Sequence, residues 1–166
     1  MALKADRHVE TTDISFFYNE GTASRGGVAI HDGNALGSGA AMDQGGNLVK
    51  YATPTATDVP VGILLNDVVN KDLTRTHLNE HKDEVQKGGK VTIMTRGTVV
   101  TNMITGTPTP GALAYASTTG TIGVSTLTGA ASGNLCIGRW MSREDADGYA
   151  KLHVNLPNFG SNVTTA

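Results

Sequence analysis

The chain has 166 residues, a length that suits one domain with a modest core. Its formal charge of -2 provides no sequence-wide field to draw nucleic acid or an anionic membrane. With 5% aromatic residues, 21 glycines and one cysteine, the composition excludes an internal disulfide framework and favours strands and turns with little bulk.

In chain order, the first 25 residues show neither a helical nor a strand period. "ISFFYN" nevertheless gathers Ile14, Phe16, Phe17 and Tyr18, including two of the three phenylalanines. Two readings stand: a first strand tucked into the core, or an extended arm that docks on another subunit. The arm reading carries an energetic expectation. Burying about 150–250 Å² for each of three aromatics yields roughly 11–19 kcal/mol gross. Ordering some twenty backbone residues costs on the order of 20–40 kcal/mol. Alone, such an arm is expected to be poorly ordered until a partner strand pairs with it.

"GGVAIH" and "NLVKYA" predict short strands, and "PVGILLNDVV" a buried one with Pro60 at its entry. A polar insert follows, at about 71–87. "KVTIMTRGTVVTNMI" is rich in Thr and Val and predicts a long strand, with Gly97 marking a bend or bulge. "ALAYA" and "GTIGV" predict two more short strands. In "YAKLHVNLP", Ala150, Leu152, Val154 and Leu156 alternate with polar residues, the pattern of a half-buried antiparallel strand. Asp147-Gly148 joins it to "LCIGRWM" as a hairpin. The expectation is an all-β chain, a small antiparallel barrel or sandwich.

Charge is unevenly placed. Of the 15 acidic residues only Glu144, Asp145 and Asp147 follow Gly88, and Gly97 to Gly138 carries no charge. A folded surface normally spreads its charge, so this stretch is expected to be core or contact surface. A small domain with such a stretch is expected to associate symmetrically.

Chemistry-bearing motifs are few. His77, Glu80 and His81 in "HLNEHKDE" have the spacing H-x-x-E-H of one zinc hydrolase class. Leu73, Leu78 and Val85 form no apolar stripe to seat such a helix, and no second helical pattern offers a third ligand. The stretch therefore reads as a solvated excursion between strands, with no metal or other cofactor implied. "DADG", Asp145–Gly148, is a fragment of a calcium loop without its closing Glu, and a hairpin turn explains it. His8, His31 and His153 are isolated, and Cys136 in "LCIGRW" reads as an inert buried thiol. No readable order pairs a nucleophile with a base, so no catalytic residue is assigned. "MALKADRHVETTD" has no apolar signal core and no run reaches membrane-spanning length, which predicts cytosolic synthesis and makes the Asn162 sequon incidental.

The order "VPVGILLNDVV", "GGKVTIMTRGTVVTNMI", "PTPGALAYASTTGTIG", "CIGRWMSREDADGYAKLHVNLP" resembles the small β-barrel decoration, or cement, proteins of tailed-bacteriophage heads. The resemblance covers Gly26 to Pro157. "NFGSNVTTA", residues 158–166, reads as a C-terminal tail. The resemblance implies a β-tulip-like barrel, placed at residues 26–157, and an N-terminal segment that reaches out from it, the arm of residues 1–25. It also implies a homotrimer seated on the capsid surface at three-fold and quasi-three-fold positions, partnered by the major capsid protein. The arm would touch that protein or a neighbouring trimer, with Ile14, Phe16, Phe17 and Tyr18 as contact residues. The charged insert is a departure from compact members. The rival readings are another virion β-module, of tail or baseplate, and a metal-dependent hydrolase built on "HLNEHKDE".

Overall fold

The computed structural model describes residues 3–4, 10–21, 23–32, 47–51, 59–67, 84–85, 87–117, 122–124 and 136–156. Among them every regular element is a strand. The strands are β1 (Leu3–Lys4), β2 (Glu10–Tyr18), β3 (Ala23–Ser24), β4 (Val28–His31), β5 (Leu48–Tyr51), β6 (Pro60–Asp67) and β7 (Glu84–Val85). They continue as β8 (Lys90–Thr101), β9 (Ile104–Thr105), β10 (Leu113–Ala116), β11 (Ile122–Val124), β12 (Cys136–Trp140) and β13 (Ala150–Asn155). Eleven belong to one sheet; β3 and β7 form a separate two-stranded ribbon.

The spine is β8, whose Thr and Val content suits a long pleated strand. On one edge it pairs first with β6 at Val91–Met94 and then with β13 at Arg96–Thr101. On the other edge it pairs with β2 at Lys90–Gly97 and with β1 at Val100–Thr101. On the first edge the hand-over falls at Thr95, between Met94 and Arg96; two residues on, Gly97 has a φ of 138°, where only glycine is at ease, and the strand runs on through it in regular register with β13. Pairing also runs from β2 to β5, β4, β6 and β8 and back to β2, a closed circuit of five strands. From β8 the sheet continues through β13, β12, β10 and β11 to β9.

Two apolar cores follow from this layout. One gathers Tyr18, Ala29, Val49, Tyr51, Leu64, Val91 and Ile93, so each strand of the circuit supplies at least one residue. The other places Val28, Ile30, Ile63 and Met94 against Ala114, Ile122, Ile137, Trp140, Leu152 and Val154. Neighbours in sequence thus serve different cores: Ile63 and Leu64 on β6, Ile93 and Met94 on β8. Strands buried on both faces need continuous apolar runs, which is why "VAI", "GILL" and "TIM" lack alternation. β13 has one exposed face and does alternate, with Leu152 and Val154 buried and His153 and Asn155 exposed.

The β12–β13 hairpin forms as expected, with Trp140 opposite Leu152. Its turn is fixed by Asp145, whose Oδ1 accepts from the backbone nitrogens of Asp147 (3.0 Å) and Tyr149 (2.9 Å), while Gly148 supplies a φ of 79°. The carboxylate of "DADG" is used for turn geometry.

Thr101 is a fully buried polar residue of β8. Its hydroxyl donates to the Gly26 carbonyl (3.0 Å) and accepts from the Met103 backbone nitrogen (3.0 Å). Thr101→Val keeps the shape and strands both partners. It is expected to cost about 1–3 kcal/mol, read as a lower urea midpoint at unchanged m.

The N-terminal residues differ from the disordered-arm expectation. Residues Glu10–Tyr18 are a strand of the main sheet, and the main-chain pairing anticipated from a partner comes from β8 and β5 of the same chain. This intramolecular ladder adds to aromatic burial in offsetting the entropy of ordering the segment.

Candidate functional site

The four contact residues expected from the sequence all fall on β2, but the structure separates them by role. Tyr18 is buried in the circuit's core, edge-on to Tyr51 with ring centroids 5.9 Å apart. Phe16 is half-buried against the same core and edge-on to the His31 ring at 5.7 Å. Phe17 is half-buried, opposite Leu48 on one side and Lys90 on the other. Backbone bonds clamp this end of the strand: Tyr18 donates to the Gly89 carbonyl (3.0 Å), Gly88 to the Tyr18 carbonyl (2.7 Å) and Phe17 to the Asn47 carbonyl (2.9 Å). These three aromatics anchor the strand in its own domain.

Ile14 is different. It is 52% exposed and sits where the β2–β8 register shifts between Asp13 and Phe16, a bulge that re-aims the side chain outward. The Asp13 carboxylate accepts from the Ser15 backbone nitrogen at 2.7 Å and fixes the local turn. Around it Glu10, Thr11, Thr12 and Ser15 are all exposed. A strand exposed on both faces has little core to serve, so Glu10–Ser15 is the part of the expected contact segment that is on offer.

A second exposed surface belongs to the uncharged stretch. Val99, Ala114, Tyr115, Ala116, Ile122 and Ile137 are buried. From Thr105 to Gly111, however, only Pro108 is buried and the rest is exposed without a charge. Arg139 reaches back from β12 to donate to the Gly111 carbonyl, tying this rim to the hairpin. The stretch is therefore core in part and bare, uncharged surface in part. Met141, just beyond β12, and Val59 are 55% exposed.

At the clamped end of β2 several polar groups pair with one another, while Asn19 Oδ1 is buried without a partner. Asn19 Nδ2 donates to Asp32 Oδ2 at 2.8 Å, and Lys50 Nζ lies 3.8 Å from Asp32 Oδ1. Glu20 Oε2 accepts from the Tyr51 backbone nitrogen at 3.1 Å. Nothing in the sequence spacing of Asn19, Asp32 and Lys50 foretells this contact, since it depends on the β2–β5–β4 order. Burial pushes the Tyr18 and Tyr51 phenols well above their ordinary value of 10.0, with the Glu20 carboxylate adding to the effect at Tyr18. The folded chain thus holds protons that an unfolded chain releases above pH 10.0. Stability is expected to be unaffected by these groups below that pH and to fall as pH rises beyond it, measured by urea midpoints across an alkaline series.

Among the described residues no three His, Cys, Asp or Glu side chains come together as a metal site. His77, Glu80 and His81 of the H-x-x-E-H stretch lie outside the described residues, as does His8; Glu84 at the end of that stretch falls on β7. His31 is exposed beside Phe16, and His153 Nδ1 is 3.5 Å from the Thr98 hydroxyl. Cys136 is half-buried; burial raises its thiol above the ordinary value, and its Sγ donates to the Gly138 carbonyl at 3.5 Å.

No curated protein matches the chain. A family does: residues 10–155 match the family described as structural cement protein (E217 gp24/Pam3 gp6). The match begins at the first residue of β2 and ends at the last residue of β13, so it spans both cores and takes in the N-terminal strand. This chain belongs to the phage structural cement protein family, and its role is that of a virion structural protein associated with the capsid.

Proposed function

We propose that the protein decorates and stabilises a phage head by binding the shell of major capsid protein as homotrimers. The observation that supports this most is the family match over residues 10–155, joined to two bare surfaces with different character. The closed circuit of five strands is read as the small β-barrel of the family. The uncharged rim Thr105–Gly111 is assigned to contact between copies, and the exposed Glu10–Ser15 segment with Ile14 to contact with the shell. Uncharged surface suits a face that is covered in the assembly, where buried charge would be costly.

The test is to mix purified protein with undecorated heads and sediment them. Saturable co-sedimentation at one trimer per three-fold position supports the reading. A protein that is monomeric by light scattering over its whole soluble range, and that stays in the supernatant, overturns it. Heads with bound protein should also survive more heat than bare heads, since a ligand of the assembled shell stabilises it by mass action. Because "HLNEHKDE" reads from sequence as a polar excursion, His77→Ala/His81→Ala is expected to leave attachment and stability unchanged, within about 0.5 kcal/mol.

A further inference from the structure

The geometry points to Glu10–Ser15 as a detachable strap: it opens from β8 while Phe16–Tyr18 stay seated, and its release is a step in attachment. The attachment half of this inference rests on the capsid-binding reading; the opening half does not. Four observations carry it. No side chain of Glu10–Ser15 belongs to either apolar core, whereas Phe16 and Tyr18 both pack in one. Five of these six residues are exposed, so there is little burial behind the backbone ladder, to which the Thr95 hydroxyl adds one bond on the Thr11 carbonyl (3.1 Å). That ladder is interrupted twice, between Thr11 and Thr12 and between Asp13 and Phe16. Among the described residues, the edge of β2 away from β8 is paired only at Phe17 and Tyr18, by β5.

The free-energy comparison is local. Each ordered residue loses chain entropy comparable to, or larger than, the net worth of one ladder bond. Where burial adds to the bond the strand holds; where it does not, opening is cheap. The change from one regime to the other falls between Ser15 and Phe16, at the bulge held by Asp13. The same bulge turns Ile14 outward. A released strap would present an extended, hydroxyl-rich segment with one apolar side chain, suited to pairing with a strand edge of the shell.

Two arms of one experiment test this. In the free protein, amides of Glu10–Asp13 that donate to β8 are expected to exchange with solvent at least about 100-fold faster than those of β12 and β13. Equal protection of the two sets overturns the strap. In the second arm, Thr11→Cys/Arg96→Cys is made with Cys136→Ser. Thr11 and Arg96 are opposite each other in register and both exposed, and opposite residues lie about 4.5–5.5 Å apart, within disulfide reach. Oxidation staples the strap shut and reduction frees it. The stapled form is expected to lose at least about tenfold in affinity for undecorated heads, with recovery on reduction. Equal affinity of the two forms overturns the role of release. If neither wild type nor the reduced variant binds heads while the Glu10–Asp13 amides exchange fast, the strap stands and the capsid-binding reading fails.

Discussion

Gly138→Ala is expected to abolish folded, soluble protein. A Cβ at Gly138 would stand 1.9 Å from the His153 carbonyl oxygen and 2.9 Å from its carbon. Neither can yield as a flexible side chain would. His153 is backbone of β13, which is fixed by β12 on one side and by β8 on the other. Ordinary overpacking costs about 1–3 kcal/mol because side chains adjust. Here two ladders must shift, and the loss should exceed about 4 kcal/mol, a large share of the roughly 5–15 kcal/mol that keeps a typical domain folded. Gly62→Ala is the companion case, since its Cβ would lie 2.3 Å from the Met94 carbonyl on the spine strand. Gly21→Ala is the control: nothing lies within 4 Å, and it should stay within about 0.5 kcal/mol of wild type. Soluble yield and urea midpoints separate these outcomes. A Gly138→Ala protein with a normal midpoint would show that β12 and β13 do not pair as described.

Trp140→Ala should be nearly as damaging. Trp140 is fully buried at the end of β12, in the core that joins β4, β6 and β8 to β10–β13. Removing so large a side chain is expected to cost about 3–5 kcal/mol through lost burial and the remaining cavity. Its indole nitrogen is buried without a hydrogen-bond partner, so the loss has no polar component. Trp140→Phe should therefore cost clearly less than Trp140→Ala, because it retains much of the packing and leaves no acceptor stranded. Since Trp140 is the sole tryptophan, its emission reports on this core directly, blue-shifted when folded and red-shifted when the core opens. An equal loss for Phe and Ala would mean that the indole N–H has a partner in the assembled protein.

The residues differ in how much they disclosed from sequence alone. β13 was readable because one face is wet, so Leu152 and Val154 alternate with His153 and Asn155. The runs at β4, β6 and β8 were readable as strands, but not which core each side chain serves. Both faces are buried, so no polar residue marks a side. That Gly97 has a backbone conformation of its own was legible from one glycine in a long β-branched run. That β8 pairs with four other strands was not, because register between distant segments leaves no local pattern. At β2, "ISFFYN" announced burial but not its host. The aromatics anchor in their own chain, and the bulge at Asp13–Phe16 divides Ile14 from them, an offset that spacing alone does not show. The family, by contrast, was legible from short apolar motifs in order, and the match over residues 10–155 extends it upstream to the first residue of β2.

A decoration protein is a stoichiometric component of the head surface. The direct measurement is its copy number relative to the major capsid protein in purified virions, by quantitative mass spectrometry, before and after tails are removed. The expected result is hundreds of copies, in a fixed ratio to the shell protein, that stay with the heads. A handful of copies that leave with the tails would contradict it and assign the protein to the tail or baseplate instead.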